Sequence, residues 1–434
     1  MIRSKILMIY ALSILLGIMT GVVGSYLQLA INGMVRLTHV WYDFAIARGW
    51  SMHLIAPLTC ALMVYVAWLL VKYVATEASG SGVQEIEGTL LHKRPIVWRR
   101  LLPVKFLGGV LAISAKMVVG REGPTIQIGG NLGEMLGEWF GLHRKRRDTL
   151  IAAGAAAGLA TAFNAPLAGV LFVLEEMRSE FNFSFTNFNA VTICCVCATI
   201  VLHLIVGSQP AIPMDVFNMP SLRSLWLFFL FGILIGFVGY FFNTVLMKSL
   251  YFIDRLRSWQ HDVYVILVGL FIGYLSFVRP DLVGGGYEII HESLKMNPSV
   301  SVLFLIFFVR FATTMLSYNT GVPGGIFAPM LALGTILGLG TSHFFSWLMQ
   351  DPSLHPGMFA VAGMGALFAA AVRAPVTGII LVVEMTQNYL LILPLMITCL
   401  TATTVVQLAK NPPIYTQLLH RTLKRSREAI EALK

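Results

Sequence analysis

"GREGPTIQIGGNLG", Gly120 to Gly133, sets an Arg and a Glu side by side in a chain that is otherwise apolar for dozens of residues in each direction. Its glycines and Pro124 interrupt a hydrophobic segment, and about 205 residues later a second stretch does the same. "GIFAPMLALGTILG", Gly325 to Gly338, aligns with it without a gap: Gly120/Gly325, Pro124/Pro329, Gly129/Gly334, Leu132/Leu337 and Gly133/Gly338 are identical. "AGAAAGLATAFNAPLAGVLFVLE" (Ala153 to Glu175) against "AGMGALFAAAVRAPVTGIILVVE" (Ala362 to Glu384) adds ten identities in 23 positions. These include Ala165/Ala374, Pro166/Pro375, Gly169/Gly378 and Glu175/Glu384. "GSGVQEI" (Gly80 to Ile86) over "GGGYEII" (Gly284 to Ile290) makes a third colinear pair. Internal repeats of this kind are a mark of membrane transporters built from two related halves. The spacing predicts a first repeat over about 10–206 and a second over about 222–415, joined near "GSQPAIPMDVFNMPS" (Gly207 to Ser221), with a short tail at 416–434.

The composition places both halves in a bilayer. Of 434 residues, 57% are hydrophobic and 12% charged, with a mean hydropathy of +0.76. A soluble domain carries about 45–50% apolar and about 25% charged residues. Long apolar runs recur at Ile6 to Leu29, Leu54 to Leu70, Ala190 to Val206, Leu225 to Leu246 and Leu390 to Leu408. Each approaches the roughly 20 residues a spanning helix needs. Arg3 and Lys5 precede the first run, but no A-x-A site follows it, so it reads as retained rather than cleaved. No Ser/Gly-rich linker or acidic block divides the chain, which reads as a single transmembrane unit, 1–434.

A formal charge of +10 in a soluble protein would suggest nucleic acid. Here it is concentrated in "HKRPIVWRR" (His92 to Arg100), "HRKRRD" (His143 to Asp148) and the tail from His420. On this background the clusters are an orientation signal: they face the cytoplasm, as do both termini, and no nucleic acid is implied. Cys60, Cys194, Cys195, Cys197 and Cys399 all lie within apolar runs, with no His or carboxylate at ligand spacing. They read as buried filler rather than a disulfide or metal site.

In lipid, interrupted backbone survives only where protein buries it or where it lines a cavity. Gly-x-x-x-Pro followed by an apolar run therefore reads as a helix that starts in mid-membrane, because Pro costs little in a first turn whose N–H groups have no intrahelical partner. Such N-termini attract anions, and several converging on one point would hold a small anion without a full positive charge. "GSGVQE", "GREGP", "GIFAP" and "NPPIY" are the candidates, brought together by an inverted repeat. Gly129, Gly133 and Gly137 have the spacing of close helix packing.

An ionisable group within a membrane is a functional candidate. Glu122 sits beside the proposed anion-binding N–H groups, so its carboxylate would occupy an anion's place when ionised and leave it when protonated. That makes it a gate and a proton carrier at once. Glu175 has a repeat mate in Glu384 and reads as architectural, whereas Glu176 faces Met385 in the alignment and is free to carry an asymmetric function. Lys105 and Lys116 fall in an apolar stretch, where they either draw anions or snorkel to an interface. Arg121 reads as a compensating charge at the outer mouth.

With "GSGVQE", "GREGP", "GGIFAP" and "NPPIY" in that order, the sequence resembles the CLC family of chloride channels and proton/chloride exchangers, the bacterial exchangers most of all. The resemblance covers nearly the whole chain and takes in "FNAPLAGVLFVLEEMR" and "RAPVTGIILVVEMT". It implies an all-α polytopic fold of two inverted repeats with many tilted and partly spanning helices. It further implies a homodimer with one pathway per subunit, in a bacterial inner membrane. Chloride and protons would be the substrates, and no cofactor, metal or catalytic residue is implied. Ser81 and Tyr415 would hold chloride through their hydroxyls, and Ile326 and Phe327 through their backbone N–H groups. Glu122 matches the external gating glutamate and Glu176 the internal proton-transfer glutamate. The segments lining the pathway would be Gly80, Ser81, Gly82, Val83 and Gln84; Gly120, Arg121, Glu122, Gly123 and Pro124; and Gly325, Ile326, Phe327, Ala328 and Pro329. One departure is Gln84, where the family's "GSGIPE" has Pro. Another is Lys116, where a small residue is usual. The short tail implies no regulatory C-terminal domain. The expected function is chloride/proton antiport; the alternatives are a passive chloride channel of the same fold and, more distantly, an intramembrane enzyme using Glu175 and Glu176.

Overall fold

A computed structural model of the chain describes residues 2–178, 183–296, 298–349 and 354–431. The first half comprises α1 (Ile2–Ala47), α2 (Met52–Tyr73), α3 (Val83–Leu90), α4 (Trp98–Ser114), α5 (Glu122–Trp139), α6 (Arg144–Phe163), α7 (Pro166–Glu175) and α8 (Phe185–Ile205). An irregular segment over Gly207 to Ser221 leads to α9 (Leu225–Ile253), α10 (Ser258–Val278), α11 (Tyr287–Met296), α12 (Val300–Asn319) and α13 (Phe327–Met349). The chain continues through α14 (Pro356–Val372), α15 (Pro375–Thr386), α16 (Ile392–Leu408) and α17 (Ile414–Glu431). The expected tail is therefore helical to Glu431, with Leu418 and Leu419 buried and α17 packed on α3, while residues 432–434 lie outside the described residues.

Among the described residues, eight helices are long and apolar enough to cross a membrane. They differ in how much of that surface the protein covers: 28% of the apolar window is buried in α10, against 83% in α13. The peripheral helices thus keep most of their apolar surface for lipid, and α13 belongs to the interior. The interior helices α5, α6 and α14 are rich in small residues, and every residue of α6 from Thr149 to Phe163 is buried. Small side chains take the place of bulk because backbones meet. A Cβ on Gly129 would run into the carbonyl of Gly154, and one on Gly133 into that of Leu150. The second half repeats the crossing, Gly334 against Gly363 and Gly338 against Phe359.

The same sequence pattern ends α6 and α14. Asn164 (φ 53°) and Arg373 (φ 70°) close their helices in the left-handed conformation, and Ala-Pro then starts the next helix with Pro at its first position. The two short helices so begun, α7 and α15, lie antiparallel and cap each other. Glu175, ending α7, accepts from the N–H groups of Val376 (3.1 Å) and Thr377 (2.7 Å) and from the Thr377 hydroxyl (2.9 Å). Glu384, near the end of α15, accepts from the N–H groups of Leu167 (3.1 Å) and Ala168 (2.9 Å). The repeat-mated glutamates are thus architectural, each placing a negative charge at the positive end of the other half's helix.

Replacing Glu175 or Glu384 with Ala strips a cap from one of these helices and is expected to cost roughly 0.5–2 kcal/mol. The two variants should lower the midpoint of thermal unfolding in detergent by similar amounts. A loss confined to one of them contradicts the reciprocal arrangement.

Candidate anion and proton site

Gly80 (φ +62°) and Gly82 (φ +88°) are both left-handed, and between them the chain turns Ser81 into the interior before α3 begins. A Cβ on Gly82 would collide with the side chain of Gln127, so only glycine fits this turn. Lys105, fully buried, fixes the turn from behind: its Nζ donates to the carbonyls of Ala78 (2.9 Å) and Gly80 (2.6 Å). The second half holds its corresponding turn with a buried guanidinium. Arg310 donates to the carbonyls of Asp281 (3.0 Å), Val283 (2.8 Å) and Gly284 (2.7 Å). Lys105 therefore neither snorkels nor faces an anion. A signal lay in the sequence, where "VKF" (Val104 to Phe106) stands at the repeat offset from "VRF" (Val309 to Phe311), but it marks only the pairing with Arg310 and not the carbonyls that either residue holds.

The interrupted backbones of the two halves satisfy each other. Gly120 and Gly325 exchange two hydrogen bonds, 2.8 Å and 2.7 Å, and the Gly324 N–H donates to the Gly80 carbonyl at 3.0 Å. These pairs bring the starts of α3, α5 and α13 to one point, with the Ser81 hydroxyl against Gly123. The start of α17 joins them: the ring of Tyr415 stacks on Phe327 at 5.7 Å, and its hydroxyl lies beside Ser81. All four proposed N-termini converge. Ser81, Phe327 and Tyr415 are fully buried, and among the described residues the hydroxyls of Ser81 and Tyr415 have no hydrogen-bond partner outside this pair. Buried hydroxyls without other partners are rare and point to a ligand. Beside them lie the first N–H groups of α13, which no intrahelical acceptor takes up.

Glu122 opens α5 and is fully buried. Its Oε1 accepts a 2.6 Å hydrogen bond from the hydroxyl of Tyr287, and its Oε2 faces Gly120 and the backbone of Ala328 in the first turn of α13. The carboxylate thus rests against the helix N-termini contributed by the other half. Arg121 covers the ring of Tyr287, 5.2 Å from its centre, and donates to the Ala162 carbonyl at 3.2 Å. Tyr287 was not among the residues singled out from the sequence, because its repeat mate is the apolar Val83 and nothing in its spacing marks it.

Glu176 lies half-buried just past α7, within electrostatic reach of Arg373 and Tyr415. One turn earlier, Phe172 packs 6.1 Å from Phe327, whose ring also meets Phe163 (6.1 Å) and Phe368 (5.0 Å). An aromatic cluster thus joins the helix of Glu176 to the start of α13. Gln84 is buried and lines a cavity of about 580 Å³ together with Gly80, Tyr318, Arg94 and Arg421, which opens toward the basic end of the molecule.

At that end the three basic clusters meet acidic partners. Arg94 pairs with Glu85 at 2.8 Å, Arg147 with Glu134 at 3.2 Å and Arg421 with Asp254 at 2.6 Å. Hydrogen bonds from Trp98 and Arg99 hold the exposed Glu138 carboxyl below its usual range. The cysteines are free, and all but the half-buried Cys197 are buried.

Residues 60–407 match the family described as "Voltage gated chloride channel". The chain belongs to this family. It is 46% identical over 414 residues to an H(+)/Cl(-) exchange transporter ClcA of Vibrio parahaemolyticus, covering 94% of this chain and 89% of that one. A protein of the same name from Salmonella arizonae is 42% identical over 432 residues, covering 99% and 91%. Among solved structures, a slow cyanobacterial Cl-/H+ antiporter superposes with a TM-score of 0.92 at 41% identity, covering 96% of this chain and 99% of that one. A CLC-type fluoride/proton antiporter shares the fold at a TM-score of 0.76 and 20% identity. The all-α, polytopic CLC-type fold expected from the sequence is the observed one.

Replacing Lys105 with Met leaves the Ala78 carbonyl buried without a donor, at roughly 1–3 kcal/mol, and the Gly80 carbonyl with only the Gly324 N–H. Because those carbonyls fix the turn that carries Ser81, chloride binding measured by calorimetry should weaken along with thermal stability.

Proposed function

We propose that the protein is a secondary active transporter that exchanges chloride for protons, with the convergence of four helix starts around Ser81 and Tyr415 as the chloride site. Two hydroxyls and the N–H groups of Ile326 and Phe327 suit a small anion, since they supply partial positive charge without a fixed cation that would retain it. One observation carries the reading: the Glu122 carboxylate rests at the start of α13, where an anion would sit. A chloride ion and an ionised Glu122 then compete for the same N–H groups. Protonation removes the charge that holds the side chain there, so each chloride admitted is tied to a proton taken up by Glu122. Glu176, at the opposite end of the aromatic cluster, delivers that proton from the other side. Close relatives that carry the name H(+)/Cl(-) exchange transporter support the exchange reading. Gln84 lines the approach from the basic side and is the position at which anion preference would be tuned.

The basic ends of α4, α6 and α17 gather on one face, which supports a bacterial inner-membrane orientation with that face and both termini in the cytoplasm. The chain acts as one transmembrane unit whose two halves share a single pathway. A homodimer is supported by the face formed by α7, α8, α15 and α16. There Leu167, Ile200, Leu204, Val376 and Leu393 are exposed next to the half-buried Glu175 and Glu384. Carboxylates at such a depth are costly toward lipid, and a second copy would cover them.

Reconstituted in liposomes, the protein should pump protons against their gradient when given a chloride gradient. Glu176→Gln should keep chloride flux and abolish proton movement, and Glu122→Ala should leave chloride flux uncoupled from pH. Robust chloride flux with no proton movement in the unsubstituted protein would falsify the exchange reading.

A further inference from the structure

The hydroxyl of Tyr287 donates at 2.6 Å to Glu122, and the segment that carries it is held unusually firmly for a surface approach. Behind it, Arg310 grips the carbonyls of Val283 and Gly284. Beside it, the Lys116 carbonyl accepts from the Gly284 N–H at 2.8 Å, and the Lys116 ammonium pairs with Glu288 at 2.8 Å. Lys116 makes this contact from a left-handed conformation (φ 59°), where glycine would be the easier residue. Gly286 packs so closely on α13 that a Cβ there would strike Ala332. Arg121 closes the other face of the Tyr287 ring. The phenol is therefore aimed at the carboxylate by a braced loop from the opposite repeat.

We propose that Tyr287 is a positioning residue that latches the Glu122 carboxylate in the anion site, and that the Lys116–Glu288 contact and Arg310 brace this latch. The proposal rests on Glu122 being the gate. A hydroxyl donating to an ionised carboxylate makes a bond roughly twice as strong as to a neutral one. The latch accordingly favours the seated, ionised glutamate over chloride and over the protonated, departing form. The charged and titratable groups that face the carboxylate are Arg121 from its own helix and Tyr287 from α11. Removing the phenolic oxygen removes the one donor among them that distinguishes the seated state.

The test is Tyr287→Phe, which keeps the ring and its contact with Arg121, studied in the full-length protein alone and combined with Glu122→Gln. By calorimetry at neutral pH, Tyr287→Phe should tighten chloride binding roughly tenfold, the worth of a hydrogen bond to a charged group. The pH at which coupled flux is half-maximal should move upward by about one unit, the same factor of ten. In the Glu122→Gln background, which has no carboxylate to latch, Tyr287→Phe should leave chloride binding unchanged. An unaltered affinity and pH profile in Tyr287→Phe overturns the proposal, and so does an equal change in both backgrounds, the mark of a merely structural effect. If Glu122→Gln itself retains proton coupling, the gate reading falls and the latch with it. If it loses coupling while Tyr287→Phe behaves like the unsubstituted protein, the latch alone falls.

Discussion

The pair of hydrogen bonds between Gly120 and Gly325 is the contact on which the interior depends. Two hydrophobic segments, one in each half, are broken in the middle of the molecule, and a broken backbone in a bilayer has no water to turn to. Each break is satisfied by the other. Once they are paired, α5 and α13 must start from the same point, and the unpaired N–H groups of their first turns face the same small space. The interrupted helix costs hydrogen bonds within one repeat, and the second repeat restores them while leaving the helix ends free for an anion.

The other contacts between the halves extend this logic. Glu175 and Glu384 cap each other's short helices, the paired glycines let α5 meet α6 and α13 meet α14 at backbone distance, and Lys105 and Arg310 hold equivalent turns by their carbonyls. In each case the repeat-mated residues do the same work, and the differences between mates mark where the halves diverge in function. Glu122 corresponds to Phe327, Ser81 to Gly285 and Tyr287 to Val83. The first half contributes the buried carboxyl of Glu122 and the Ser81 hydroxyl, and the second matches the latter with the hydroxyl of Tyr415. The second contributes bare N–H donors, the aromatic wall and the phenol over the carboxylate.

Hydropathy shows the lipid-facing helices far better than the helices that matter most to the site. α5 and α6 lie outside the apolar runs that stand out in the sequence, because helices surrounded by protein need small volume more than they need hydrophobicity. The buried part of α6, Thr149 to Phe163, is mostly Ala and Gly, and α5 carries Gln127 and Asn131 inside the protein. These segments were legible only through the repeat, whose identities fall on the residues that need a special conformation or a close approach. Pro166, Pro375, Gly129 and Gly334 are matched for this reason, and the flanking side chains are not.

By itself the sequence determined a membrane protein of two related halves, with interrupted helices starting in "GREGP", "GIFAP" and "NPPIY"; Ser81 was marked only by the family resemblance. Those features follow from local chemistry: proline in a first turn, and glycine where the chain turns or approaches closely. The convergence of the four helix starts, the reciprocal caps and the carbonyl-bound Lys105 required the folded chain. Tyr287 is the clearest case. It lies 165 positions from Glu122, has an apolar repeat mate and ends 2.6 Å from the carboxylate. A hydrogen bond between residues so distant in the chain leaves no periodicity or spacing behind, since it arises only when two inverted halves close on one another.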